Sequence, residues 1–335
     1  MTNIMKTKFD RRARFIQNTA CRKYFKRKPN SFDAQSEAVD IVREDGVRVI
    51  TDIPYGTKYP NSFLDIYLPK KEWMESAGEN GVPVFVYFHG GGFLFGNRRM
   101  GDPLTKDPTG MREWFGYFLD KGIGVVSASY AFAPEYRFPV QIEQVDQVLG
   151  FLGGHGKEYG LDSDQMLLGG GSAGADMTEI YGLVISDSSY AAQFPFVPTV
   201  RREQIKGLII DEAALCFHTF KNPKGMDTML GCWVGEEDFL HGPNSILCDV
   251  PEHIADSYIP TFVTGSTADH FFIQSALKLK VKLDEIGVRC DLYYPPLSMG
   301  EFGHGFLSQA ETTAGKAGNE KMIRFIDAVL GKLGK

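Results

Sequence analysis

Leu167-Leu168-Gly169-Gly170-Gly171-Ser172-Ala173-Gly174-Ala175 holds the pattern Gly170-x-Ser172-x-Gly174 between an apolar run and a helix-compatible one. A serine forced into a tight strand-to-helix turn needs neighbours without side-chain bulk two positions either side, and Gly170 and Gly174 supply them. Its hydroxyl then stands above a sheet. The helix that starts at Ala173 aims unsatisfied N–H groups at the same spot, where negative charge on a substrate oxygen would be favoured. Two other readings fit these residues: Gly169-x-Gly171-x-x-Gly174 matches a dinucleotide fingerprint, and the glycines could simply close a turn. The surrounding chain has to choose.

Upstream, Val82 to Phe88 is apolar almost throughout, as expected of a strand buried on both faces, and it runs into His89-Gly90-Gly91-Gly92. Arg48 to Ile53 and Ser62 to Leu68 alternate and read as an antiparallel edge pair. A helix from Gly110 to Lys121, a strand from Ile123 to Ala128, a helix from Val140 to Phe151 and a strand from Gln165 to Gly169 lead to the elbow. Its helix covers Ala173 to Ile185, and Gly207 to Ile210 is the next strand, ending at Asp211 and Glu212. Regular alternation then stops from Ala213 to Ile259, a length that implies a function or helices of its own. It resumes with a strand from Pro260 that ends at Asp269, a helix from His270 to Ile286, a strand from Arg289 to Tyr294, a loop carrying His304 and a helix from Gly318 to Leu330. Strands alternating with helices in this way define an α/β protein with a mostly parallel sheet and helices on both faces.

Ser172, Asp269 and His304 therefore fall in loops after successive strands, at the sheet edge where ligands bind. Ser, Asp, His is the chain order of the α/β-hydrolase triad. His304 would take the Ser172 proton, and Asp269 would hold the imidazole in the right tautomer. Singly, a carboxylate after a strand is often a helix cap and a histidine in a glycine-rich loop is often incidental. Together they form a nucleophilic site. The glycines after His89 let backbone N–H groups approach a substrate oxygen, so this loop reads as an oxyanion hole. The dinucleotide reading accounts for none of His89 to Gly92, Asp269 or His304, and lacks a placed acidic ribose partner.

With His89-Gly90-Gly91-Gly92-Phe93, Tyr130 to Glu135, Phe138-Pro139, Gly170 to Gly174, Gly265 to Asp269 and His304-Gly305-Phe306 in this order, the chain resembles the hormone-sensitive-lipase-like esterases of the α/β-hydrolase fold. The resemblance implies oxyanion donors at Gly91, Gly92 and Ala173, and structural support from His89, Gly90, Gly170 and Gly174. It also implies a helical cap built from residues 1–45 and 213–259 over a catalytic domain of 46–212 and 260–335. Three positions depart from the family: Asp176 replaces the usual Asn, Asp211-Glu212-Ala213-Ala214 replaces a Ser-Pro stretch, and His270 replaces Pro.

The implied activity is that of a serine carboxylesterase on short-chain esters, acetyl to butyryl, needing no metal or organic cofactor. Amide cleavage of the arylformamidase kind and a non-catalytic ligand receptor are the alternatives. Phe93, Phe95, Tyr130, Trp233 and Phe272 are candidates for pocket walls or for core. The 335 residues carry a net charge of -6, against nucleic-acid binding. Ten basic residues through Lys28 face only Asp10, a local charge of +9 that leaves -15 elsewhere. A membrane-surface helix and a packed helix with a solvated face both fit this segment; the packed reading is preferred, with Phe9, Ile16, Tyr24 and Phe25 against the body. A second helix could start after Pro29-Asn30-Ser31. No signal-peptide core or membrane-length apolar run is present, and the five cysteines, Cys21, Cys216, Cys232, Cys248 and Cys290, are odd in number and widely spaced. A soluble protein of the reducing cytoplasm is expected, without an integral membrane segment; its oligomeric state, a homodimer among the options, is open.

Overall fold

A computed structural model describes residues 6–99, 111–214, 226–268 and 270–331. Its strands are β1 (Asp40–Val42), β2 (Arg48–Pro54), β3 (Phe63–Leu68), β4 (Val82–Phe88), β5 (Gly124–Ala128), β6 (Leu161–Gly171), β7 (Ile205–Asp211), β8 (Thr261–Thr264) and β9 (Cys290–Tyr293). The helices are α1 (Asp10–Ala20), α2 (Lys71–Ala77), α3 (Met111–Leu119), α4 (Val140–His155), α5 (Ala173–Val184), α6 (Ser188–Ala191), α7 (Met226–Val234), α8 (Pro243–Leu247), α9 (Val250–His253), α10 (His270–Glu285) and α11 (Thr313–Val329). One sheet runs in the order β1-β2-β3-β5-β4-β6-β7-β8-β9. Pairing is antiparallel from β1 through β3 to β5 and parallel from β5 to β9. This is the α/β architecture expected from the sequence.

Side-chain alternation explains why both faces of the sheet are covered. Val84, Val86 and Phe88 of β4 join Leu168, Ile210 and Val263 in one core, with Ile142, Val145 and Ile180 of α4 and α5. Phe85, Tyr87, Leu167, Ile209 and Phe262 face the other way, toward Trp114, Phe115 and Phe118 of α3 and Met322 and Phe325 of α11. There Phe85 stacks on Phe118 with ring centroids 4.1 Å apart. The central strands carry apolar side chains on both sides, so their sequences read as unbroken apolar runs rather than alternation.

The N-terminal segment departs from expectation. No helix follows Pro29; Ser31 and Asn61 exchange hydrogen bonds, Gln35 N donates to Asp52 Oδ1 (2.9 Å) and Val39 N to Thr51 Oγ1 (3.1 Å). The backbone groups that a helix would use internally are thus taken by the sheet edge, and β1 adds a strand there. Helix α1 packs through a stripe at Asp10, Ala13, Gln17 and Ala20. Its two buried polar groups are partnered: Arg137 Nη2 donates to Asp10 Oδ2 (2.8 Å), and Gln17 Nε2 to Ala133 O (2.7 Å). Phe9 packs edge-on to Phe239 and Phe25 lies 6.2 Å from Phe95, whereas Tyr24 is 67% exposed and does not pack on the body. Between β7 and β8 the described residues form α7, α8 and α9 rather than an extended loop. Among the described residues no helix is long and apolar enough to cross a membrane.

Candidate active site

Ser172 sits between β6 and α5 with φ 54° and ψ -120°, a conformation that costs an L-residue on the order of 1–3 kcal/mol. The surrounding contacts hold it there. A Cβ on Gly170 would lie 2.3 Å from the Gly174 carbonyl carbon, and one on Gly174 would lie 2.0 Å from Phe88 O, so only glycine permits the two limbs of the turn and β4 to meet. Ser172 N donates to Asp211 O (2.8 Å), which ties the elbow to the end of β7. The first helical bond of α5 is Asp176 N to Ser172 O (3.0 Å). The N–H groups of Ala173, Gly174 and Ala175 precede it and have no acceptor within the helix.

The glycine loop after β4 lies against this turn. A Cβ on Gly90 would fall 3.2 Å from Ser172 Cβ, and one on Gly92, at φ +59°, would fall 2.3 Å from Met229 Sδ on α7. The loop is therefore enclosed by the elbow on one side and α7 on the other. His89 beneath it is fully buried. Its Nδ1 lies 2.7 Å from Gly90 O, its ring stacks on Tyr130 at 4.4 Å, and Tyr130 Oη donates to His89 O (2.8 Å). Burial pushes the imidazole down to about 3, so it is neutral at physiological pH, and Nδ1 then carries the proton that Gly90 O accepts. Beyond the loop, Arg98 and Arg99 pair with Asp52 and Asp65 in a buried cluster; Arg98 Nε donates to Asp65 Oδ1 (2.7 Å) and Arg99 Nε to Asp65 Oδ2 (2.8 Å).

His304 lies in the loop after β9. Hydrogen bonds from Thr267 N (3.1 Å) and Ala268 N (3.0 Å) to Phe302 O, and from Phe302 N to Thr267 Oγ1 (2.7 Å), fasten that loop to the one after β8. One face of the imidazole stacks on Phe272 of α10 at 4.2 Å. Its Nδ1 is 2.9 Å from Glu212 Oε2. Asp269, the acid expected from chain order, lies outside the described residues.

Glu212 was missed in reading the sequence as a site residue. It follows β7 at φ +63° with its side chain fully buried, and Gly305 N also donates to its Oε2. The signal was present, since the chain places a carboxylate one residue past a buried strand at the ligand edge. It was read only as a departure from a Ser-Pro stretch. Two further acids interact electrostatically with the imidazole. Burial pushes Asp176 up to about 7, against the opposing effects of the Ala214 N–H (2.6 Å) and His304. Burial and the adjacent Glu212 raise Asp211, whose Oδ1 accepts from Thr264 Oγ1 (2.6 Å). Of the aromatic candidates, Phe93, Tyr130 and Trp233 are core, with Phe93 and Trp233 stacked at 3.7 Å; Phe272 stacks on His304, and Phe95 lies against Gly91 of the glycine loop.

A serine on a strained turn at the C-terminal edge of a parallel sheet, with a histidine held by a carboxylate in the loop after β9 at the same edge, places this molecule in the α/β-hydrolase fold. Residues 64–271 match the sequence model of the BD-FAE family, and the chain belongs to that family. An esterase of Gibberella moniliformis is 25% identical over 213 residues, 62% of this chain and 63% of that protein. The kynurenine formamidase of Danio rerio is 26% identical over 242 residues, 71% of this chain and 73% of that one. The chain thus spans less than two thirds of the length of the first of these relatives. Among solved structures, esterase B from Lactobacillus rhamnosis inhibited by a C4-C4 tributyrin phosphonate superposes with a TM-score of 0.70 at 21% identity, covering 88% of this chain and 89% of the other.

Proposed function

We propose that this chain is a serine carboxylesterase acting on small, short-chain esters through an acyl-enzyme. The observation that carries the reading is the strained Ser172 backbone, bonded to the end of β7, on the same sheet edge as His304. Holding a serine in a costly conformation is expected where its hydroxyl must be presented.

In this reading Ser172 Oγ attacks the ester carbonyl carbon and its proton passes to His304 Nε2. The carbonyl oxygen becomes an oxyanion and accepts hydrogen bonds from the N–H groups of Gly91, Gly92 and Ala173. When the tetrahedral species collapses, the bond to the alcohol oxygen breaks and His304 returns the proton to that oxygen. Water then gives a proton to His304, attacks the acyl-Ser172 carbon and releases the acid, restoring Ser172 Oγ–H. His89 has no part in the proton path, because it is neutral and sealed under the loop; it fixes the loop through Gly90 O.

Of the cap expected at residues 1–45 and 213–259, the described residues ahead of the sheet strand β1 (Asp40–Val42) and those from 226 to 259 would form the cover. Support for this comes from α1, anchored by Asp10 and Gln17, and from α7, whose Met229 sulfur sits against Gly92. A cover placed so close to the glycine loop favours short acyl groups. Amide cleavage is the second reading, favoured by the match to a formamidase over 71% of the chain. Hydrolysis of p-nitrophenyl acetate, butyrate, octanoate and laurate, set beside that of N-formylkynurenine, tests both. Activity that falls with chain length and exceeds formamide cleavage supports the esterase. Inactivity on all four esters refutes it.

A further inference from the structure

We propose that Glu212 is the carboxylate that positions His304, taking the place that chain order gives to Asp269; the inference rests on the serine-hydrolase reading above. Four observations converge on it. Glu212 Oε2 is 2.9 Å from His304 Nδ1 and also accepts from Gly305 N, so one oxygen fixes both the ring and the backbone that carries it. Its other oxygen, Oε1, is buried and has no hydrogen-bond donor among the described residues. The described hydrogen bonds of this carboxylate therefore all go to the histidine loop. A glutamate with a side chain at 0% exposure is rare unless a cation or donor compensates it, and here that compensation comes from the histidine loop.

The backbone gives the third observation. Gly171 pairs with Asp211 across β6 and β7, and Asp211 O accepts from Ser172 N, so nucleophile and carboxylate leave adjacent strands joined by one hydrogen bond. At φ +63°, Glu212 occupies the left-handed region that a non-glycine side chain avoids. Strain of that kind persists only where the surroundings hold it. Finally, Phe272 stacks on the imidazole, so a carboxylate at Nδ1 and an aromatic face together set the ring's rotation and tilt.

The role follows from the proton bookkeeping. A carboxylate accepting from Nδ1–H leaves Nε2 unprotonated and able to take the Ser172 proton. When the imidazolium forms, Glu212 is the charge at its other nitrogen. Asp176 on α5 and Asp211 at the end of β7 also interact electrostatically with the ring, and Asp211 is itself raised by Glu212, so the pH readout is taken together with the kcat loss and not alone.

The test compares kcat, KM and the pH dependence of kcat/KM on p-nitrophenyl butyrate for wild type, Ser172→Ala, Glu212→Gln, Glu212→Asp and Asp269→Asn. Loss of the orienting charge should lower kcat of Glu212→Gln by about 100- to 10,000-fold with KM nearly unchanged. The ascending limb should move to lower pH, because the imidazolium loses its neighbouring anion. Glu212→Asp should recover about a tenth of wild-type kcat, since the charge is kept but the arm is one methylene short; Asp269→Asn should stay within about 10-fold. Glu212→Gln with kcat within about 3-fold and an unmoved limb would overturn the assignment. If Glu212→Gln does not fold, Glu212→Asp decides: wild-type kcat in that variant is the contrary result. Should wild type itself be inactive, or Ser172→Ala match it, the functional reading fails; if only the Glu212 variants behave as wild type, this inference alone fails.

Discussion

Asp176 offers a stability test that is independent of turnover. Its side chain is sealed inside α5, 1% of the residue is exposed, and burial pushes its carboxyl from 3.8 up to about 7. Glu179, Cys248, Tyr130 and His304 surround it electrostatically. The sign follows from linkage: a carboxyl that binds its proton more tightly when folded stabilises the protein below the unfolded value and loses that contribution as pH rises through the folded one. Between 3.8 and about 7 the loss is on the order of 4 kcal/mol, and roughly 3 kcal/mol of it falls between pH 5 and pH 8. Asp176→Asn removes the titration yet keeps an oxygen for the Ala214 N–H, which donates to Oδ1 at 2.6 Å. The expected outcome is a variant close to wild type near pH 4 and more stable than wild type by a few kcal/mol at pH 8. Urea unfolding of both proteins at pH 5 and pH 8 measures the difference, in which groups remote from Asp176 cancel while its electrostatic neighbours Glu179 and His304 shift with it. A variant-minus-wild-type difference that is the same at both pH values to within about 1 kcal/mol would refute the reasoning.

Arg98→Ala should destabilise by about 3–5 kcal/mol in urea, because Arg98 is 2% exposed and its removal leaves Asp52 and Asp65 sharing Arg99 alone; a loss under about 1 kcal/mol would mean the cluster behaves like a surface pair. Gly174→Ala should give little soluble protein, since its Cβ would stand 2.0 Å from Phe88 O, and recovery of wild-type yield and melting temperature would contradict the close approach. Burial raises the Cys232 and Cys290 thiols to about 12 and Cys248 well above its ordinary value. Ellman's reagent at pH 8 should therefore leave these three unlabelled in the native protein and label them in urea, with peptide mapping to assign each.

Much of this fold was legible because its strands are short, apolar and separated by helices of ordinary length. Val82 to Phe88 could be read directly and Gly207 to Ile210 as the centre of a strand that runs from Ile205 to Asp211, since burial on both faces gives unbroken apolar runs. The residues after Pro29 were misread for a physical reason. Ser31, Gln35 and Val39 have helix-compatible neighbours, but their partners, Asn61, Asp52 and Thr51, lie 12 to 30 residues away along the chain. No local pattern reports such bonds. Glu212 escaped on different grounds. A carboxylate after a strand has many structural uses, and only the arrival of His304, 92 positions later in the sequence, makes this one distinctive. Gly170 and Gly174 were legible because the turn geometry demands them wherever a side chain would strike β4.

The central claim is that Ser172 is the nucleophile, and the most direct measurement is covalent capture. Incubation with a small alkyl fluorophosphonate followed by intact-mass and peptide mass spectrometry should show one adduct per chain, on the peptide containing Ser172, formed in step with loss of p-nitrophenyl butyrate hydrolysis and absent from Ser172→Ala. An unmodified Ser172 in fully inhibited protein, or an adduct on any other residue, would contradict the account.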